Sequence, residues 1–385
     1  MTLVPPPLSL YVHMPWCVRK CPYCDFNSHG LRGTPDYPAY VDALLADLDA
    51  DLRDFGAALH GRPVETVFFG GGTPSLFAPE LVGRFLDGAR ERLPFVEAAE
   101  VTLETNPGTV EHGRFDGYLA AGVNRISFGV QSFDDDKLRR LGRIHSSTEA
   151  ADAVRQAQDA GIDNINVDLM YALPEQTLAG ALDDVDRAIA LRPAHVSHYQ
   201  LTLEPNTAFA ANPPPLPDDD AAWAIQEACE ARLAAAGFGQ YEVSAYARPG
   251  RRCAHNLNYW RFGDYLGIGA GAHGKISDTA GVRRRWKTRL PAAYLAAAGQ
   301  ASRVGGDNLV AANDLPFEYM LNALRLIDGV PASDFAERTG LPAGMIAAAR
   351  AGCIARGWLV DDAAQLKTTP LGQRFLNDVI EAFMA

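Results

Sequence analysis

Three cysteines near the N-terminus, Cys17, Cys21 and Cys24 in the pattern C-x-x-x-C-x-x-C, are the residues whose type and spacing could do the most chemistry. They follow the short apolar run Leu8–His13, so they read as the loop leaving a first strand. A structural zinc site closes its tetrahedron with four ligands, which this trio cannot supply. Soft sulfur ligands do suit iron–sulfur clusters, and three thiolates can hold three corners of a four-iron cluster. The fourth iron then stays open, and an open iron can chelate a small molecule through its amino and carboxylate groups.

Such a loop needs a scaffold, and the chain offers one. Strand-like runs at Ser9–His13, Thr66–Phe69, Val101–Glu104, Arg125–Gly129, Asn164–Leu169 and His195–Leu201 alternate with amphipathic stretches at Tyr37–Asp54, Glu80–Arg92, Ser147–Ala160 and Leu178–Leu191. Strands alternating with helices predict a parallel sheet built by right-handed crossovers. Six such units, with chemistry in the first loop, predict a partial (β/α)6 barrel, an α/β fold. Ligand residues then belong at the carboxyl ends of the strands. After the second strand comes Gly70-Gly71-Gly72-Thr73-Pro74, where glycines let the backbone approach a ligand. That run lacks the Lys of a P-loop and the later glycine of a dinucleotide fingerprint. Glu104 ends the third strand in ETNPG, a carboxylate suited to an ammonium group or sugar hydroxyls. Gln131 follows the fourth strand, Arg143 lies twelve residues further on, and Asp168 closes NINVD on the fifth.

The rest of the chain is ordinary in bulk and distinctive in places. Of the 385 residues, 48% are hydrophobic and 21% charged, as in a globular protein. The net charge of −12 excludes a general nucleic-acid partner, which would require an excess of Lys and Arg. No stretch approaches a membrane-spanning length, and the opening MTLVPPPLSL lacks the regions of a signal peptide. Composition leaves peripheral membrane contact open. Cys229, Cys253 and Cys353 are scattered, as buried core thiols are, and reduced cysteines point to a cytoplasmic location. The Pro-rich segment 212–220 reads as a rigid loop, a connector or a lid, with its Asp cluster placed to cap a helix from Ala221.

The domain organisation expected is a barrel with its extension over 1–276, a bridging segment without clear period over 277–310, and a C-terminal module over 311–385. That module reads as three helices, a wing pairing Gly357–Asp361 with Gln365–Thr368, and a last helix, which is winged-helix-like α+β. Its nine acidic and six basic side chains exclude DNA binding and leave a structural or docking role.

These residues resemble the oxygen-independent coproporphyrinogen-oxidase-like branch of the radical S-adenosylmethionine (SAM) proteins. The likeness is carried by YVHMPWC, CPYCDFNS, GGGTPS, GVQSF, NVDLMYALP and YQLTLEPNT, and it runs over nearly the whole chain. It implies that Cys17, Cys21 and Cys24 ligate a [4Fe-4S] cluster. It also implies that Tyr11, Tyr23, Gly71, Gly72, Thr73, Glu104, Gln131, Arg143 and Asp168 line a SAM site. There Arg143 would pair the SAM carboxylate, with Gln131 and Asp168 on the ribose.

One departure separates the chain from the oxidase, which carries a further Cys two positions after the third; here that position is Phe26. A second feature, His255-Asn256-Leu257-Asn258-Tyr259-Trp260 within an extension at about 241–276, resembles the hallmark of the heme-chaperone relatives of that oxidase. The resemblance makes His255, Tyr259 and Trp260 candidates for a heme site, with His273 as a second imidazole. Two functions follow from it. One is a heme chaperone that passes heme to an acceptor protein of the respiratory cytochrome type. The other is an anaerobic coproporphyrinogen III decarboxylase working by a SAM-derived radical. Phe26 and the HNxxYW segment favour the first.

Overall fold

The structure is a computed structural model that describes residues 3–109 and 114–384; Met1 and Thr2 of the opening stretch lie outside the described residues. Six strands run parallel and in chain order: β1 (Leu8–Met14), β2 (Val64–Gly71), β3 (Phe95–Thr105), β4 (Arg125–Gln131), β5 (Ile165–Tyr171) and β6 (His195–Gln200). Helices α1 (Tyr37–Leu59), α2 (Pro79–Arg90), α3 (Arg114–Ala120), α4 (Ser147–Asp159) and α5 (Leu178–Ala190) return the chain between them. Each of the six strands and four helical stretches foreseen from periodicity is present, with ends shifted by a few residues.

Alternation along the strands explains the two faces. In β4, Ile126, Phe128 and Val130 are buried in the apolar core beneath the helices, whereas Arg125, Ser127, Gly129 and Gln131 line the inside of the barrel. Barrel interiors are ordinarily filled by branched aliphatic side chains. Here the inside is polar, which leaves room for ligands rather than a packed centre.

After β6 the chain forms helix α6 (Asp219–Ala235), whose N-terminus is capped by Asp218 accepting from Ala221 N at 2.8 Å. The foreseen Asp cluster does cap this helix, which begins two residues before Ala221. Two short strands, β7 (Gly239–Glu242) and β8 (Ala245–Ala247), then extend the sheet antiparallel beyond β6. The next strand, β9 (Asp264–Ile268), joins the opposite edge, parallel to β1. The chain between them must therefore cross under the barrel, and helix α7 (Ala254–Trp260) lies on that crossing.

The sheet goes on through β10 (His273–Asp278), β11 (Gly281–Lys287) and β12 (Val304–Leu309), giving twelve strands in all. The segment 277–310 is thus not a simple bridge: β11, β12 and the helix α8 (Pro291–Ala296) are built from it. Its charged sequence hides this, because Lys287, Arg285 and Arg303 are paired with acids on α1 rather than solvated.

The C-terminal module packs α9 (Leu315–Ala323), α10 (Ser333–Thr339) and α11 (Ala347–Ala355) around its own apolar cluster, which also takes in Phe262 and Val282 from the barrel side. The foreseen wing is reduced to one bridge, Leu359 to Thr368. Gln365–Leu366 pair instead with Val330–Pro331, so the residues of the second wing strand are shared between two partners.

Candidate cofactor site at the mouth of the barrel

A cavity of about 450 Å³ lies at the C-terminal ends of the parallel strands. Cys17, Cys21 and Cys24 all line it, with Tyr23 among them. Their loop closes in a turn, Cys24 N donating to Cys21 O at 3.2 Å, and Cys24 Sγ stands 3.5 Å from Ser28 Oγ. Burial pushes the Cys17 thiol up in pKa, so without a metal it is held as the neutral thiol. Among the described residues, no three His, Cys, Asp or Glu side chains converge on a single-ion site. A cluster needs no such convergence, since each cysteine ligates a different iron. The donor set present, three thiols in one cavity with Phe26 where a fourth could stand, fits a cluster held at three corners.

The glycine run does two jobs. Gly71 and Gly72 line the cavity, and they also let the protein's own backbone close up. A Cβ on Gly72 would lie 2.5 Å from Trp16 O; Gly71 has φ +110°, and a Cβ there would lie 2.3 Å from the His13 ring. Gly72 N donates to Met14 O and Thr73 N to Trp16 O, at 2.8 and 2.7 Å. The run therefore docks against the end of β1 that carries Cys17.

Two carboxylates face the cavity from inside the barrel. Glu104 accepts from Gly71 N at 3.1 Å, and Asp168 accepts from Asn166 and Ser127 at 2.7 and 3.1 Å. Burial, then repulsion from Asp168, raises Glu104 to about 8. Burial also raises Asp168, against the hydrogen bonds it accepts. Such a pair is stabilised by an arriving cation or by hydroxyl donors. Opposite them, Arg143 donates to Gly129 O and Asn106 Oδ1, and its Nη1 lies 3.7 Å from Cys21 Sγ. Its Nε is buried without a hydrogen-bond partner. Gln131 takes a left-handed backbone, φ +71°, and its Oε1 accepts from the Tyr199 hydroxyl at 2.7 Å.

The cavity thus collects ten of the twelve residues foreseen for cluster and SAM, and leaves out Tyr11 and Thr73. Thr73 is buried behind it, accepting from Asn106 Nδ2 at 2.9 Å. Tyr11 sits one layer deeper, in a second chamber of about 230 Å³, with its hydroxyl 2.9 Å from His13 Nδ1. Sequence reasoning missed Asn106, which ties Thr73 to Arg143, and Tyr199, which holds Gln131. Asn106 stood within ETNPG and could have been found by its place at a strand end.

Of the heme candidates, His255 and Tyr259 share the inner chamber and the others lie elsewhere. His255 is buried on the barrel floor, with Nδ1 2.7 Å from Thr66 Oγ1 and Nε2 2.8 Å from the Tyr259 hydroxyl. Burial and the nearby Arg125 lower it to about 3, so it is a neutral imidazole. Both ring nitrogens are engaged, and an iron could reach Nε2 only if the Tyr259 hydroxyl left it. Trp260 points the other way, against the C-terminal module, with Arg325 stacked over its ring at 4.3 Å. His273 is exposed at the start of β10 and stacks on Trp286, apart from α7.

The radical SAM superfamily matches residues 11–188, a span holding the three cysteines and every foreseen SAM residue. The HemN C-terminal domain matches residues 310–375. The heme chaperone HemW of Escherichia coli is 51% identical over 381 residues, covering 99% of each chain. The chain belongs to the HemW family. HemW of Haemophilus influenzae is 48% identical over 380 residues, covering 98% of each chain. The solved coproporphyrinogen III oxidase HemN of Escherichia coli, described as a radical SAM enzyme, superposes with a TM-score of 0.82 at 23% identity, covering 98% of this chain and 90% of that one. The HemW family and that oxidase therefore share a fold from barrel to C-terminal module. Among the described residues, no helix is long and apolar enough to cross a membrane.

Proposed function

We propose that this HemW-family chain is a cytoplasmic heme chaperone that carries a [4Fe-4S] cluster with SAM, takes up heme and passes it to an acceptor protein of the respiratory cytochrome type. The observation that carries the reading is full-length identity to chaperones of that name, joined to Phe26 at the cavity rim in place of a further cysteine. Cys17, Cys21 and Cys24 would hold the cluster, whose open iron supplies a chelation point for an amino acid. Around it, the chain's own residues have separate tasks. Arg143 offers its guanidinium to a carboxylate, with Gly129 O and Asn106 fixing its plane. Glu104 and Asp168 accept from an ammonium group or ribose hydroxyls, and Tyr199 turns Gln131 to the same side. Phe26, 61% exposed, lies at the rim of that cavity.

Heme delivery separates this function from coproporphyrinogen decarboxylation, because the cluster and SAM residues serve both. Titration of the anaerobically reconstituted protein with hemin is expected to give a saturable Soret shift, followed by transfer to an apocytochrome. Incubation with coproporphyrinogen, SAM and reductant is expected to yield no protoporphyrinogen. Turnover in the second assay without transfer in the first reverses the assignment. His255→Ala in the same titration decides whether the floor imidazole takes part: unchanged binding removes it from the site.

A further inference from the structure

Among the described residues, no acid pairs directly with the guanidinium in the inner chamber beneath the cofactor cavity. Arg125 begins β4 on the barrel floor, is 2% exposed, and lines this chamber of about 230 Å³. Among the described residues no hydrogen bond or ion pair holds its side chain, and its Nε is buried without a partner. Burial works against this charge, while Cys253, Glu100, Tyr241 and Asp168 favour it without a hydrogen bond to it and hold its pKa up. The acids nearest to it are committed elsewhere. Glu100 accepts from Ala254 N and His255 N at 3.1 Å each, and Cys253 Sγ stands 3.5 Å from it. Asp168 is taken by Asn166 and Ser127, and Glu104 by Gly71 N. Arg125 faces these acids as a counter-charge without a hydrogen bond to any of them, which leaves its donors open to a ligand.

We propose that this chamber is a carboxylate-binding pocket, in which the Arg125 guanidinium receives the carboxylate of a small organic acid or of a side arm of a larger ligand. A guanidinium presents two parallel N–H groups that match a carboxylate in plane and spacing. The entrance is from the cofactor cavity, because Glu104, Ser127, Asp168, Ser197 and Asn256 line both spaces. Glu104 and Asp168 on that shared wall select against a dianion such as phosphate and tolerate a single negative charge with an apolar tail. Phe68 and Tyr259 line the chamber and supply apolar ring surface for that tail. The inference stands apart from the heme-chaperone reading, since a free acid could fill the chamber in a protein of either function.

The test uses the full chain with its cluster reconstituted under anaerobic conditions. Propionate labelled at the carboxyl carbon is titrated by nuclear magnetic resonance, against propionamide as the neutral isostere. Saturable broadening by propionate and none by propionamide is the expected result, with binding at least tenfold weaker in Arg125→Met. Hemin and hemin dimethyl ester form the second arm. A preference for hemin that disappears in Arg125→Met assigns the carboxylate to a larger ligand. Equal binding of the two, with propionate still bound, assigns it to a small acid. Failure of the unaltered protein to distinguish propionate from propionamide and hemin from its ester overturns the proposal, whether or not Arg125→Met folds. Retention of these preferences by a folded Arg125→Met also overturns it. Absence of hemin binding with propionate bound removes the chaperone reading and leaves the pocket standing.

Discussion

Glu104 is the residue whose state depends most on what fills the cavity. Its folded pKa of about 8 lies above the ordinary carboxylate value, so between roughly pH 4.5 and 8 the native state binds a proton that the unfolded state has released. Stability of the ligand-free protein is therefore expected to fall as pH rises through that window. The loss should be on the order of a few kcal/mol, and Glu104→Gln should remove most of it. Melting temperatures of both proteins at pH 5 and pH 8.5 check this; parallel pH profiles would refute it. SAM should shrink the difference, because a cation beside Glu104 favours its charged form. The cysteines give a second prediction at this scale. Cys21→Ser should abolish the brown iron–sulfur absorption after reconstitution, while a fully loaded variant would show that the loop is not the cluster's cradle. Most of these residues were legible because cysteine spacing and strand-end position are local. Depth was not. Tyr11 and Glu104 both face the barrel interior, and only the register of neighbouring strands shows that Tyr11 belongs to the lower chamber.

The element that most changes meaning once folded is α7. As sequence, HNLNYW offers an imidazole beside aromatics; as structure, it closes the barrel floor. Asn258 donates to Ser9 Oγ and Asp264 O, and His255 meets Thr66. Its N-terminus begins at Cys253, which supplies no side-chain cap. The cap comes instead from Glu100 on β3, a residue from the neighbouring sheet that no local pattern could reveal. Glu100→Ala should leave the Ala254 and His255 N–H groups without their cap and cost about 1–2 kcal/mol, with a melting temperature lower by a few degrees. Glu100→Gln keeps an acceptor and should lose less. Equal stability of both variants with the parent would show that the floor is held by its packing alone. The six parallel strands were visible because their outward faces are apolar in alternation. β11, GVRRRWK, was not, since its charges satisfy partners remote in sequence.

Those remote partners tie the whole molecule together. On α1, Asp47 and Asp51 are buried, and they receive Lys287 at 2.5 and 2.7 Å. Arg303 reaches the same two acids at 2.8 and 3.0 Å, and Arg285 reaches Asp51 at 2.9 Å. The late half of the sheet is thus clamped onto the first helix by ions as well as by apolar packing. The clamp extends toward the cofactor site. Asp47 also accepts from Gly269 N, and Tyr40, from the same helix, donates to His13 O on β1 and accepts from Ala270 N. A chain of contacts therefore runs from β12 through α1 to the strand that delivers Cys17. Breaking one partner of a buried ion set costs more than the set is worth, because the remaining charges lose their compensation. Arg303→Leu is expected to lower stability by about 3–5 kcal/mol in urea unfolding. Because the strand ends held by this clamp carry the cysteine loop, the cluster absorbance should also be lost at lower urea than in the parent. A loss within about 1 kcal/mol, as exposed pairs give, would show that water screens the clamp and that the two halves of the sheet are joined mainly by their strands.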